Sequence, residues 1–89
     1  MNFQKAMVIV DDNNNEYIIM SVIKDNNNEY AFANKLAEVN KEPTNEYNIF
    51  TIIDDEIEIV EDNILINKLL PIFQKKLADE LSDILNSNK

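Results

Sequence analysis

The chain contains no cysteine, no histidine, no glycine and no tryptophan. Without cysteine there is neither a disulfide nor thiol chemistry. Without histidine the commonest general base and the commonest metal ligand are both missing. Without glycine no Gly-rich phosphate loop can form. Positive charge is also scarce: 8 Lys and Arg stand against 17 Asp and Glu, a formal net charge of −9. Such a surface repels phosphate backbones and anionic membranes, so neither direct nucleic-acid binding nor membrane association is expected. Every apolar run is far shorter than the about 18 residues of a membrane span. The opening Met1-Asn2-Phe3-Gln4-Lys5 has one cation and no apolar stretch behind it, so a cytoplasmic protein is expected.

What is present fits one small α+β domain over residues 1–89, with 45% hydrophobic residues. The word Asp12-Asn13-Asn14-Asn15-Glu16-Tyr17 recurs as Asp25-Asn26-Asn27-Asn28-Glu29-Tyr30, with a shorter echo at Asn45-Glu46-Tyr47. Asn and Asp tolerate left-handed backbone and bond their own main chain, so each word reads as a turn, with Asn in the usual place of Gly. Tyr is a good strand residue, so the end of each word reads as the start of a strand. The pattern predicts an antiparallel meander of four to five strands over about residues 6–60. The strands are Ala6–Val10, Glu16–Ile23, Glu29–Leu36, Glu46–Ile53 and, after a tight turn at Asp54-Asp55, Glu56–Val60. The third segment also contains good helix formers, and Asn28 could cap a helix there. The turn word in front of it favours the strand.

From Asn63 the apolar period changes to three or four: Leu65, Leu69, Phe73, Leu77, Leu81 and Ile84 mark an amphipathic helix over about 63–86, with Asp62 as N-cap. Pro71 lies inside it, where proline costs about 3 kcal/mol. A restart there leaves a helix of about 24 Å, close to the about 26 Å of an eight-residue strand. A helical turn at 63–70, a kink or break near Pro71 and a main helix to about Leu85 are therefore expected, with Pro71 at the first position of the main helix.

The carboxylates invite a calcium reading, which the spacing refuses. An EF-hand loop needs Gly at its sixth position and Glu at its twelfth. Counted from Asp11 these are Glu16 and Val22, from Asp12 Tyr17 and Ile23, and from Asp25 Tyr30 and Leu36. In a meander Asp11, Asp12, Glu61 and Asp62 would share one end of the sheet. A carboxylate-pair enzyme there would need an enclosing pocket, and the simpler role is to favour a helix N-terminus. Ser21, Ser82 and Ser87 lack a histidine to activate them. Lys68, Lys75 and Lys76 read as solvated helix charges. Tyr17 and Tyr47 belong to one end of the sheet and Tyr30 to the other, so they read as packing residues and not as a base-stacking platform. No catalytic, cofactor-binding or metal residue is assigned, and no cofactor is expected.

The order of these pieces resembles a known family. The acidic-Asn turn at 12–15 precedes EYIIMSVI, then come DNNNEYAF, a polar gap, EYNIFTII-DD-EIEIV and LLPIFQKKL. Asp12 to Glu16, Glu29-Tyr30 and Leu70-Pro71-Ile72 carry the likeness to the YrzB-like family of small acidic bacterial proteins, a domain of unknown function. The likeness spans about residues 6–85. Asn stands where family members often have Gly, and Lys75-Lys76 interrupt an otherwise acidic helix. The resemblance implies a cytoplasmic protein. Genes of that family often lie near alanyl-tRNA synthetase and a Holliday-junction-resolvase-like nuclease, which implies a link to nucleic-acid metabolism by association only.

Function is then expected to lie in contact with other proteins. Strands two and four are apolar on both faces, one set being Ile18, Met20 and Val22 and the other Tyr17, Ile19 and Ile23. One helix covers one face, so the second needs a loop, a partner or a second copy. A non-enzymatic interaction module, binding a protein partner or itself as a homodimer, is the leading expectation. An acidic mimic of nucleic acid on a basic partner is the alternative, and a small carboxylate enzyme the third.

Overall fold

The computed structural model describes residues 2–87, with side chains as far as Asp83. Its elements are β1 (Val8–Val10), β2 (Glu16–Asp25), β3 (Asn28–Leu36), β4 (Pro43–Ile53), β5 (Glu56–Ile59) and α1 (Asn63–Ser87). The strands form one antiparallel sheet in chain order, β1-β2-β3-β4-β5. The expected meander and its C-terminal helix are present, and the third segment is a strand.

The turns work as their residue types require. Asp25 pairs with Asn28 across a two-residue loop, and both loop residues have positive φ: Asn26 at 51° and Asn27 at 67°. Ile53 pairs with Glu56 across Asp54 (52°) and Asp55 (65°) in the same way. Both loops thus have the left-handed pair of a type I′ hairpin, built without glycine. The first copy of the repeated word makes a different turn. The Asp11 carboxylate precedes it and accepts the N–H groups of Asn13 and Asn15, each at 2.9 Å.

Several boundaries differ from expectation. β1 is three residues long because Ala6 sits at φ 70°, outside the strand region, although its N–H still reaches the Ile19 carbonyl at 2.8 Å. β2 continues to Asp25, where the tight hairpin keeps the ladder intact to its last pair. β4 begins at Pro43, paired with Leu36; the first residue of a strand is a place where proline's missing N–H is tolerated. β5 ends at Ile59.

The helix is one element, Asn63–Ser87, with Pro71 inside. The expected break into a turn and a main helix does not occur. Leu69 and Phe73, on either side of Pro71, are 0% and 1% exposed on the same helix face. Burying both halves on one sheet offsets the cost of the proline, and Pro71 itself faces out. Asp62 caps the helix as expected, its Oδ1 accepting the Ile64 N–H at 2.9 Å. Ile84, expected on the apolar face, lies beyond the described side chains.

Two cores lie back to back on the sheet. Tyr17, Ile19, Ala31, Ala33 and Phe50 pack with Phe3 and Met7 on what we term the N-terminal face. Tyr30, Ile49 and Val60 pack with Leu69 and Phe73 on the helix face. The register of β2 slips between Ile19 and Ser21, so Met20 is an extra residue. Before the slip Tyr17 and Ile19 belong to the N-terminal face; after it Val22 does, while Ser21 and Ile23 turn to the helix face. Neither expected grouping of β2 side chains holds, because a one-residue slip exchanges the faces.

The second face is therefore not bare. Phe3 seals it, its N–H donating to Glu29 Oε1 at 2.6 Å. Tyr17 of β2 and Phe50 of β4 meet edge-on at 4.9 Å between ring centroids, over Ala31 and Ala33 of the intervening strand. Strands two apart are about 10 Å from each other in a flat sheet. The small alanines let the sheet curl until its outer side chains close over them. The 37–42 loop covers neither face: Val39 near its tip is 96% exposed.

Candidate functional site

The open surface lies on the helix face. α1 crosses that face diagonally, from Val60 and Ile49 near its start to Ile18 and Met20 near its end. Beside it runs a row of cross-strand partners, Val8↔Ile18, Ile18↔Asn34 and Asn34↔Tyr47, one residue from each of four strands. Val8 is 50% and Tyr47 47% exposed. The groove between this row and the helix has two parts, one on each side of Tyr47, which lines both. One, of about 420 Å³, lies between Ile18 and Met20 on the sheet and Leu77 and Leu81 on the helix. The other, of about 400 Å³, lies between Asn45 and Asn48 on the sheet and Ile66 and Leu70 on the helix.

The floor of this groove is braced by hydrogen bonds and ring contacts. Asn34, 2% exposed, donates from Nδ2 to the carbonyls of Thr44 at 2.7 Å and Glu46 at 3.1 Å, and its Oδ1 accepts the Thr44 N–H at 3.2 Å. These bonds replace the β3–β4 ladder where its register shifts between Asn34 and Leu36. Tyr47 stacks flat on Phe32, with centroids 5.2 Å apart and planes 7° apart. Phe32 in turn meets Phe73 of α1 at 5.4 Å. The exposed ring at the groove is thus held by a half-buried ring that itself rests on the buried Phe73 of α1.

Among the charged side chains Lys5 and Glu80 line the groove, paired with each other at 2.7 Å. Lys35 with Glu46 at 3.3 Å and Lys41 with Glu16 at 2.9 Å line a separate cavity of about 400 Å³ at the end of the sheet, beside the Asn13–Asn15 turn. Glu38 lines that cavity too, and Glu42 stands exposed in the same segment, next to Pro43, which borders the groove.

Of the residues weighed for chemistry in the sequence, Tyr47 borders the groove and the others are placed elsewhere. Burial pushes the Asp11 carboxyl up, but hydrogen bonds from the Asn15 side chain and from the N–H groups of Asn15 and Asn13, with Lys35 nearby, hold it below the usual value. Its work is to clamp a turn. Asp11 and Asp62 flank strands at opposite edges of the sheet, and among the described residues no group of three or more acidic side chains could hold a metal ion. Lys68 pairs with Asp25 at 2.8 Å, and that hydrogen bond raises its pKa. Lys76 donates to the Val22 carbonyl. The three tyrosines form no platform: Tyr17 is buried on the N-terminal face, Tyr30 is buried under α1, and Tyr47 borders the groove.

Sequence reasoning missed the groove because it assigned whole faces to whole elements. One signal was present: the helix is charge-rich, yet Asn63, Asn67, Gln74 and Ala78 form an uncharged strip along it. No protein-family model matches the chain, and no curated protein or solved structure matches it either. Among the described residues no helix is long and apolar enough to cross a membrane.

Proposed function

We propose that this protein is a non-enzymatic protein-interaction module of the cytoplasm, and that its binding surface is the groove beside α1. The observation that carries the reading is the half-covered helix face. Ile18, Met20, Tyr47, Leu77 and Leu81 line one open apolar groove with a braced floor. Contiguous apolar surface of this kind, rimmed by charge, is characteristic of recognition sites. Membership of the YrzB-like family belongs to the same proposal and is compatible with it, since the family's recurring signals are turns and strands and not catalytic groups. A bend of α1 at Pro71 belongs to it too. The proline ring crowds the Asn67 carbonyl, and a bend there would set the width of the groove between Leu77 and the sheet.

The test uses a photo-crosslinking residue placed singly at position 81, on the groove, and at position 64, an 83% exposed site off it. The expected result in the native cell is a defined adduct from position 81 and none from position 64. The same adducts from both positions, or none from either, would sink the reading.

A further inference from the structure

The groove has the dimensions of one missing helix. A helix with its side chains is about 10 Å wide, and strands of nine to eleven residues are about 30 Å or more in length. A single helix lying across such strands leaves room for another beside it. The row from Val8 to Tyr47 crosses four strands, about 14 Å, which is the length of about three helical turns. α1 itself is prepared for a neighbour. With Leu69 and Phe73 fixing which side faces the sheet, helical spacing puts Ile66, Leu70, Leu77 and Leu81 on the flank toward the groove. The next positions outward on that flank are Asn63, Asn67, Gln74 and Ala78, all uncharged. The charged residues Lys68, Lys75, Lys76, Asp79 and Asp83 fall on the opposite flank. In a chain with 28% charged residues, a bare strip along one side of an exposed helix is a helix-packing surface.

Charge decides what kind of helix fits. The protein carries a net charge of −9, and a second copy would bring the same charge to the interface. At the end of the sheet next to the groove, Lys35 and Lys41 are held by Glu46 and Glu16, which leaves Glu38 and Glu42 exposed to solvent in the segment that leads into Pro43 of the groove. Resting on the interaction-module reading, we infer that the groove takes a basic amphipathic helix of a partner protein. Its apolar stripe lies on Ile18, Met20, Tyr47 and Leu77, and its Lys and Arg side chains face the acidic 37–46 rim. The docked helix runs alongside α1 at the usual 8–10 Å spacing and completes a two-helix layer over the sheet.

The experiment titrates the full ¹⁵N-labelled chain with two model peptides of about three to four turns. One has a leucine stripe with lysine flanks, the other the same stripe with glutamate flanks. The lysine peptide is expected to bind at least tenfold more tightly, to weaken as salt is added, and to shift the resonances of Ile18, Met20, Tyr47, Leu77 and Leu81. Leu81→Lys is expected to abolish binding, Glu38→Lys with Glu42→Lys to weaken it about tenfold by charge reversal, and Ile72→Lys, on the opposite flank, to leave it unchanged. Equal affinity for both peptides, or shifts spread over the acidic turns instead of the groove, would overturn the inference. So would binding by neither peptide, and the crosslinks from position 81 then judge the interaction reading on their own. Dimerisation in sedimentation equilibrium that Leu81→Lys abolishes would replace the partner helix by a second copy and leave the interaction reading standing.

Discussion

The two faces of the sheet are made from the same strands but are finished differently. The N-terminal face is closed by small residues: Ala31 and Ala33, both 0% exposed, allow Tyr17 and Phe50 to meet above them, and Phe3 plugs the remainder. The helix face carries Phe32 and Ile49 at the alternate positions, which hold a helix away from the strands and need one to cover them. One helix covers only part of that face. The comparison teaches that an apolar second face is not by itself evidence for a partner. The alternation of small and large side chains on the middle strand decides which face can close on itself and which stays open.

The largest effects should come from the two rings that anchor the cores. Phe73→Ala and Phe50→Ala each remove a ring no more than 2% exposed, at an expected cost of about 3–5 kcal/mol. Urea unfolding followed by circular dichroism measures both. Similar losses would show that the faces contribute equally. A loss below about 1 kcal/mol for Phe50→Ala would mean that the curled face is a loose cover and not a core.

Next comes the residue that allows closure. Ala33 lies between Ile19 and Asn48 in the sheet, beneath the Tyr17–Phe50 contact. Ala33→Leu should wedge those rings apart and cost about 1–3 kcal/mol through overpacking. Leu81→Ala at the open groove, where the side chain is 56% exposed, should fall within about 0.5 kcal/mol of the wild type. Equal effects at the two sites would erase the distinction between a closed face and an open one.

Much of this was legible in the sequence, and the failures have physical causes. The turn words, the meander and the capped C-terminal helix follow from local chemistry at Asn26-Asn27, Asp54-Asp55 and Asp62. The slip at Met20 was not legible, because Ile19 and Met20 are both apolar and hydrophobicity does not reveal which of them is the extra residue. Pro71 was given too much weight: its cost is local, whereas the burial of Leu69 and Phe73 on one face acts across it. The groove was half legible. The uncharged strip on α1 is visible in the letters, but the row Val8–Ile18–Asn34–Tyr47 exists only once four strands are in register.

A smaller effect is expected at the edge, where β1 turns into β2. The Asp11 carboxyl is held below its ordinary value in the folded chain, against about 3.9 when unfolded. A depressed folded pKa adds stability above the unfolded value, and that stability is lost as pH falls through the folded one. Asp11→Ala should therefore destabilise by about 1 kcal/mol at neutral pH, through the lost turn hydrogen bonds. The gap between variant and wild type should narrow below about pH 4. Urea midpoints at pH 7 and pH 3 give the comparison. A gap that stays constant would assign the effect to the backbone of the turn and not to the charge.

The smallest effect should have the opposite sign. Ser21 is 1% exposed, and among the described residues its Oγ has no hydrogen-bond partner. It is on the helix face only because of the slip at Met20. Strict alternation from Tyr17 and Ile19 would have placed it on the other side. On the helix face it pairs across the sheet with Phe32, and its own strand, β2, is the one that the backbone of α1 approaches most closely. A short side chain suits that crossing, but a hydroxyl is not required by it. Burying an unpaired hydroxyl costs about 1–3 kcal/mol by mutational measures. Ser21→Ala keeps the small volume and removes that cost, so it should be neutral or stabilise by up to about 1 kcal/mol. Ser21→Val puts two methyl groups where the hydroxyl was and should instead lose about 1 kcal/mol or more by overpacking beneath α1. If Ser21→Ala proved destabilising by a full kcal/mol, the hydroxyl would have a partner, and the helix face would be held by a polar contact at its centre as well as by Leu69 and Phe73.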